Sequence, residues 1–600
     1  MKKYSAILIA IFIFKFSFSQ TANPVIEKIW KEKTEWRMKA MENFRNNTSL
    51  KNSRNINENI VSASTDVESE VHAAINPTDS NNIVVSSNFV GGGFLPDRTN
   101  YIYYSNDFGS TWNTSSFITA PLTQNAFIAG GGDPNFSFTD QGKLYFSWIN
   151  LWFDAMFNSH FDLFWAYSFD GGNAWLRDST NNTIGKGAGV GLNVGAFDKQ
   201  WMTTDNTPSS PHYGNLYCCF MEAPAGGTIS IGVRKKLSSW NVFDTVSVQV
   251  NSATYKFIQF SSIAVDHSGN VHVSFFASAD SVTYSLYHTK STNGGISFSA
   301  ENKIRDVNLP VYSSDSQSDN IEGIDGTRFY PCAYIAADNT AGAHSNNLYM
   351  VWTANGVSSK LSNGVDVYFS RSVDGGANWS VPQVLNDNTA NIYTDQYYPA
   401  ITVSPLGRLI VMWCDRRNDV QNKNTDIYLA YSNDGGQTFP PNLRVTSAST
   451  DFSTVGSKNG NFGIGEYNCV LATNSFAIPV WADGRTGDGD LNLYCAMVNL
   501  DNPQVGLQNL TTINSTLKIS SVFPNPVKDV LYLEYETSKN GNLKMEVLDA
   551  DGKIIQEERV KEIQPGKGTQ KISVSNLAAG NYFLKTEFNS DFNLRQFVKQ

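Results

Sequence analysis

The feature that most constrains this 600-residue chain is a short turn that keeps returning. It appears first as Ser105-Asn106-Asp107-Phe108-Gly109-Ser110-Thr111-Trp112, directly after the strand-like run Tyr101-Ile102-Tyr103-Tyr104. The spacing Ser-x-Asp-x-Gly-x-x-aromatic recurs from Ser168 to Trp175, from Ser372 to Trp379 and from Ser432 to Phe439. A weaker copy, with Asn293 in place of Asp, runs from Ser291 to Phe298. Asp or Asn can fold its side chain onto the amides of a turn, and Gly takes the positive φ that other residues resist. Each copy therefore predicts a tight hairpin, with the aromatic residue tucked under the turn as the next strand starts.

A second repeat lies ahead of the turns. From about Glu68, two apolar runs joined by a polar turn recur with a period of roughly 60–70 residues. The first runs begin at Ala73, Asn135, Trp201, Ser262, Tyr334, Ala400 and Cys469. The turn motif follows most of these hairpins. The third is followed only by the degraded Ser238-Ser239-Trp240, and the seventh by Leu491 to Ala496 with no motif. An inner hairpin plus an outer hairpin gives four strands per unit, and seven units are read. Four-stranded units arranged radially are the blades of a β-propeller, so the fold class expected is all-β.

The motif resembles the Asp box, or BNR repeat, of sialidase-like β-propellers. That resemblance implies a propeller over residues 66–500, with six blades as the alternative to seven because sialidases have six. It also implies that the box is a structural turn. The family's Arg-Ile-Pro motif ahead of the first blade has no counterpart here, Asp97-Arg98-Thr99 being a poor substitute.

The two ends read differently. Lys2 and Lys3, the apolar stretch from Tyr4 to Phe16 and the small residues around Ser19 predict a signal peptide over 1–19. That apolar run is short for a membrane span, and no other stretch could cross a bilayer. Residues 20–65 read as a helical extension, Pro24 to Asn47, and an Asn/Ser-rich linker. After a linker at 501–518, residues 519–600 open with Phe523-Pro524-Asn525-Pro526 and carry the Asp551-Gly552 turn, Leu577-Ala578-Ala579-Gly580-Asn581-Tyr582 and a terminal Lys599. This segment resembles the type A C-terminal sorting domain of the type IX secretion system of Bacteroidetes. It implies the secretion machinery as a partner and a secreted or outer-membrane-surface location.

Composition narrows the chemistry. A net charge of −10 excludes a general affinity for nucleic acid. The six cysteines lack zinc-ligand spacing, and most lie in apolar runs where Cys acts as a small hydrophobe. Two carboxylates in Gly487-Asp488-Gly489-Asp490 are too few for calcium. No metal or cofactor is expected.

In a propeller blade the innermost strand starts on the usual ligand face, and the second-to-third loop lies there too. The residues ahead of the innermost strands should therefore ring the channel: Glu70, Asp133, Asp198, Arg328, Tyr330, Tyr397, Glu466 and Tyr467. The loops add Arg416, Arg417 and Arg485. Arginines can hold a carboxylate in bidentate fashion. The resemblance then implies Asp133, Asp198, Glu466 and Tyr467 as catalytic candidates, Tyr467 as nucleophile in the sialidase manner. Glu70, Arg328, Tyr330, Tyr397, Arg416, Arg417 and Arg485 would bind substrate. The same residues read structurally as Asp–Arg ties between blades and as caps. Two functions stay open: a glycan- or protein-binding propeller, or a sialidase-like exo-glycoside hydrolase.

Overall fold

The structure, a computed structural model, describes residues 56–501 and 517–600 except 65–66, 91–97, 179–181, 188, 191–192, 309–331, 357–364, 389–393, 456–463, 488, 549–553 and 589–590. The signal peptide and the helix expected over Pro24 to Asn47 lie outside the described residues. Two compact units are present, one ending at Asp501 and one covering the C-terminal residues.

The first unit is a seven-bladed β-propeller. Blade one pairs Val67–Ile75, Ile83–Val90, Asn100–Ser105 and Asn113–Thr114 in order, all antiparallel. Blades two to six repeat this plan, with innermost strands Phe127–Phe138, Ala196–Thr204, Phe257–Val265, Tyr334–Ala337 and Gln396–Val403. Blade seven is built from both ends of the unit. Its inner strands are Cys469–Ala472, Phe476–Asp483 and Asn492–Asn499, and its outermost is Asn57–Ile60. This closing strand lies within the 20–65 stretch expected to be extension and linker. Its sequence, Asn57-Glu58-Asn59-Ile60, lacks the apolar alternation of a strand because it sits at the outer rim.

Hydrophobic side chains fill the spaces between sheets. Val84, Ile102, Phe146 and Trp148 join blades one and two, and Phe276, Leu286, Ile335 and Trp352 join blades four and five. Trp148, Trp352, Trp413 and Trp481 all lie in second strands and are fully buried. The six cysteines are buried free thiols.

Each box closes the third-to-fourth turn. In the first, Gly109 N donates to Ser105 Oγ (2.9 Å), Thr111 N to Asp107 Oδ1 (2.8 Å) and Trp112 Nε1 to Gly109 O (3.1 Å). The hydrogen bonds from Thr111 and Ser105 hold the exposed Asp107 carboxyl down at about 2. The boxes also join blades. Asn59 Nδ2 donates to Gly109 O, Asn82 Nδ2 to Gly171 O, Lys290 Nζ to Gly375 O and Arg371 Nη1 to Gly435 O, each from the preceding blade and at 3.0–3.1 Å.

The second unit is a small β-sandwich. One sheet orders Leu517–Phe523, Val530–Thr537 and Gly566–Ser573. The other orders Ile554–Ile563, Gly541–Leu548, Gly580–Phe588 and Asp591–Lys599. Leu531, Leu533, Met545, Val547, Leu584 and Phe597 form its core.

The closure seam between blades seven and one holds a buried acid. Leu493 N donates to Ser62 Oγ (2.9 Å), Ser62 Oγ donates to Glu68, and Tyr103 OH donates to Glu68 Oε1 (2.7 Å). Burial raises Glu68 to about 7 despite these donors. The unfolded chain releases this proton near pH 4.5, so the folded state binds more protons between 4.5 and 7. Stability from this group is full below pH 4.5 and is lost as pH rises through 7. Glu68→Gln should therefore melt at the wild-type temperature at pH 5 and several degrees above it at pH 8. Equal shifts at both pH values would show that Glu68 does not titrate in this range.

Candidate functional site in the central channel

The innermost strands share an unusual backbone. Glu70, Asp133, Lys199, Phe260, Cys332 and Tyr398 all have φ between 46° and 55°, and blade seven places Gly465 at 77°. Ladder register slips here in blades one, two, three, four and six. A left-handed residue at a bulge re-aims the strand. The left-handed position holds Glu70, Asp133, Lys199, Phe260, Cys332 or Tyr398 in six blades and Gly465 in the seventh, where Glu466 is the next residue.

Glu70, Asp133 and Lys199 make an ionic cluster with Glu466. Lys199 Nζ lies 3.1 Å from Glu70 Oε1, 2.8 Å from Glu466 Oε2 and 3.8 Å from Asp133 Oδ1. All four side chains are buried. Asn88 Nδ2 donates to Glu70, and Tyr467 OH donates to Glu70 Oε2 at 3.4 Å. The cluster spans blades one, two, three and seven.

Electrostatics assign the charges. Burial pushes Glu70 well above the usual carboxylate range, with Lys199 opposing and Glu466 and Asp133 reinforcing. For Asp133 burial acts upward too, but Lys199 and hydrogen bonds leave it below its ordinary value. Burial alone would discharge Lys199; Asp133, Glu466 and Glu70 lift it well above the usual lysine range instead. Burial and the neighbouring carboxylates raise the Tyr467 phenol. The cluster thus favours the ammonium of Lys199 and the ionised form of Asp133 and disfavours the ionised form of Glu70.

The next layer plugs the channel. The Trp201 ring lies 4.9 Å from His72, 5.0 Å from Tyr334 and 6.0 Å from Tyr467. His72 Nδ1 accepts from Phe136 N (3.2 Å), and burial pulls its ring down to about 3, so it is neutral. The space bounded by Lys199, Trp201, Tyr334 and Tyr467 is about 10 Å³, roughly enough for one water. Beyond Trp201 the channel opens into a cavity of about 260 Å³, where Ser137, Thr203 and Thr402 are among the wall residues.

The expected site residues divide. Glu70, Asp133, Glu466 and Tyr467 converge. Asp198 lies one residue off the bulge register, half-buried, and accepts from Gln259 and from Lys199 N (3.0 Å). Tyr397 is buried, with its hydroxyl on Thr425 Oγ1 (2.8 Å). Arg416 is buried too, donating to Asn422 O (2.8 Å) and Thr425 Oγ1 (3.1 Å). Arg417 Nη2 meets Asp415 Oδ2 at 2.7 Å and lies over Tyr428 at 4.1 Å. Arg485 repeats this with Asp483 (2.6 Å) and Tyr494 (4.4 Å). Trp413 and Trp481 donate to the same two carboxylates, each at 2.7 Å. Arg328 and Tyr330 lie outside the described residues. Sequence reasoning missed Lys199. Aligning Lys199-Gln200-Trp201-Met202 with Glu70-Val71-His72-Ala73 would have found it, because a one-residue slip exchanges the faces of a strand. Among the described residues no group of carboxylates, histidines and cysteines is arranged to hold a metal ion.

Residues 521–600 match the model of the secretion system C-terminal sorting domain. The chain ends in a secretion sorting domain. This domain implies recognition by the type IX secretion machinery and export to the cell surface or into the medium. In fold, the first unit is a β-propeller of four-stranded blades. No curated protein matches the sequence. Similar solved structures include a Hadza microbial sialidase, at 10% identity and TM-score 0.40, covering 71% of this chain and 75% of that one. A Dyadobacter fermentans protein of unknown function is 11% identical with TM-score 0.39, covering 75% and 99%. A Penicillium chrysogenum α-L-arabinanase complexed with arabinobiose is 11% identical with TM-score 0.41, covering 76% and 100%. Likeness this distant says nothing of what this chain acts on. No described helix is long and apolar enough to cross a membrane.

Removing Lys199 tests the cluster. Lys199→Met leaves three buried carboxylates around an apolar side chain. At pH 7 it should lose about 3–5 kcal/mol in urea unfolding. The deficit should shrink as acid protonates the carboxylates. A variant as stable as wild type at pH 7 would remove Lys199 as the anchor of the channel.

Proposed function

We propose that this protein is a secreted or surface-held propeller that binds glycans or proteins, and that its central carboxylates hold blades together. The observation that carries this reading is the seat of Lys199 among Glu70, Asp133 and Glu466. The ammonium takes the charge and the space that a glycoside would need between an acid and a nucleophile. Two further features agree. Arg417 and Arg485 are committed to Asp415 and Asp483. Tyr467, with a raised pKa, is a poor nucleophile.

A second reading, a sialidase-like exo-glycoside hydrolase, is favoured by the convergence of Glu70, Asp133, Glu466 and Tyr467 at one end of the channel. There a carboxylic acid would protonate the leaving oxygen, and Tyr467, activated by a glutamate, would attack the anomeric carbon. A panel of chromogenic glycosides, sialosides included, separates the two when given to the exported protein alongside a glycan array. Binding without turnover is expected. Turnover that disappears in both Glu466→Gln and Tyr467→Phe would replace the binding reading with the hydrolase.

A further inference from the structure

One junction of the ring breaks the repeat. In five blades the third strand ends on the serine that opens the box, Ser105, Ser168, Ser291, Ser372 or Ser432, and all five are buried. In blade three the same rung, facing Leu216 as Ser168 faces Leu144, is held by Lys236. Lys236 is 3% exposed. The residues after it, Leu237-Ser238-Ser239-Trp240, supply neither the carboxylate nor the glycine of a box.

A second lysine meets it from blade two. Lys143 precedes a second strand, where other blades carry Asn82, Asn215, Asn270 and Asn347. Asn82 reaches across its junction to the carbonyl of Gly171 in the next box. Blade three has no such box to offer. The Lys143 ammonium lies instead over the rings of Tyr167 (4.2 Å), Tyr145 (4.9 Å) and Phe169 (5.1 Å). Lys236 Nζ lies over the same Tyr145 ring at 5.6 Å and donates to Leu237 O (3.2 Å). Among the described residues neither lysine has a carboxylate partner, whereas Lys199 has three.

Such a pair is costly to keep. A buried ammonium without a counter-ion loses its hydration, which ring faces and one carbonyl return only in part. Burial, reinforced by Lys143, pulls Lys236 down to about 8, so the cation persists at neutral pH. Serine at this rung would avoid the cost, as it does in five other blades. An anion from outside would relieve it. Beside Lys143, Phe169 is 67% exposed and presents a flat apolar face. Carboxylate plus C–H face is the chemistry of an acidic sugar: the carboxylate takes a charge-assisted hydrogen bond from the half-buried Lys143, the buried Lys236 adds its charge, and the ring lies on the aromatic.

We propose that Lys143 and Lys236, with Tyr145, Tyr167 and Phe169, form a binding site for an acidic saccharide residue at the junction of the second and third blades. The site lies on the side of the ring that bears the boxes, away from the Lys199 cluster. It deepens the binding reading, on which it rests for its saccharide, by naming acidic sugars.

The test uses the exported full chain and calorimetry with trigalacturonate, with its neutral methyl ester and with inorganic sulfate. Lys236→Ser and Lys143→Asn restore the residues of the other blades and so preserve the fold. Trigalacturonate should bind at least about tenfold more tightly than the ester. That preference should vanish in both variants, while the melting temperature of Lys236→Ser stays level or rises. Equal binding of acid and ester, or undiminished binding in both variants, overturns the site and leaves the glycan-binding reading standing. Sulfate bound without any saccharide overturns the saccharide assignment. Binding of none of the three overturns the site, and the glycan array then decides the wider reading separately.

Discussion

The propeller depends on one antiparallel pairing, that of Asn57–Ile60 with Asn492–Asn499. Every other blade is made from consecutive chain and could form by local hairpins. Blade seven cannot, because its outer strand lies more than 400 residues from its inner ones. Pairing the two ends gives the final sheet its fourth strand and packs the first innermost strand against the last, where Val71 N donates to Tyr467 O (3.1 Å). It also brings Glu466 and Tyr467 to Glu70. The ionic cluster is therefore a product of closure as well as a contributor to it.

The channel is layered by the two-residue period of the strands. The bulge layer carries Glu70, Asp133 and Lys199, joined by Glu466, the next carries His72, Trp201 and Tyr334, and the third carries small or hydroxylated residues such as Ala74, Ser137, Thr203 and Thr402. Charge, aromatic plug and open cavity follow in that order. The left-handed residue at the bulge recurs around the ring, so it belongs to the architecture. The residue placed there differs in every blade, and this is where chemistry or cohesion was free to diverge.

The boxes show the same division between repeat and exception. Where intact, each is a self-contained turn whose glycine carbonyl or aromatic joins the neighbouring blade. Where the third is lost, Lys143 and Lys236 remain without the acceptors that the repeat would have given them. Regularity in such a fold signals structure, and departures from it mark the places worth testing for function.

Much of this was legible in the residues. The recurrent turns and hairpins determined an all-β propeller with seven units, and the motif from Phe523 to Lys599 determined the sorting domain, because both rest on local turn chemistry and strand periodicity. The acids Glu70, Asp133 and Glu466 were placed at the channel for the same reason. Three things were decided only by the tertiary structure. Asn57–Ile60 has no strand pattern of its own and becomes a strand through a distant partner. Lys199 was hidden by a one-residue bulge, which exchanges the side chains facing the channel and turns attention to Asp198 instead. The arginines of the second-to-third loops were visible as charges, but only packing shows that Arg417 and Arg485 are held by their own neighbouring aspartates. Sequence records which groups a strand can offer; the register of the bulge and the closing of the ring select which of them meet.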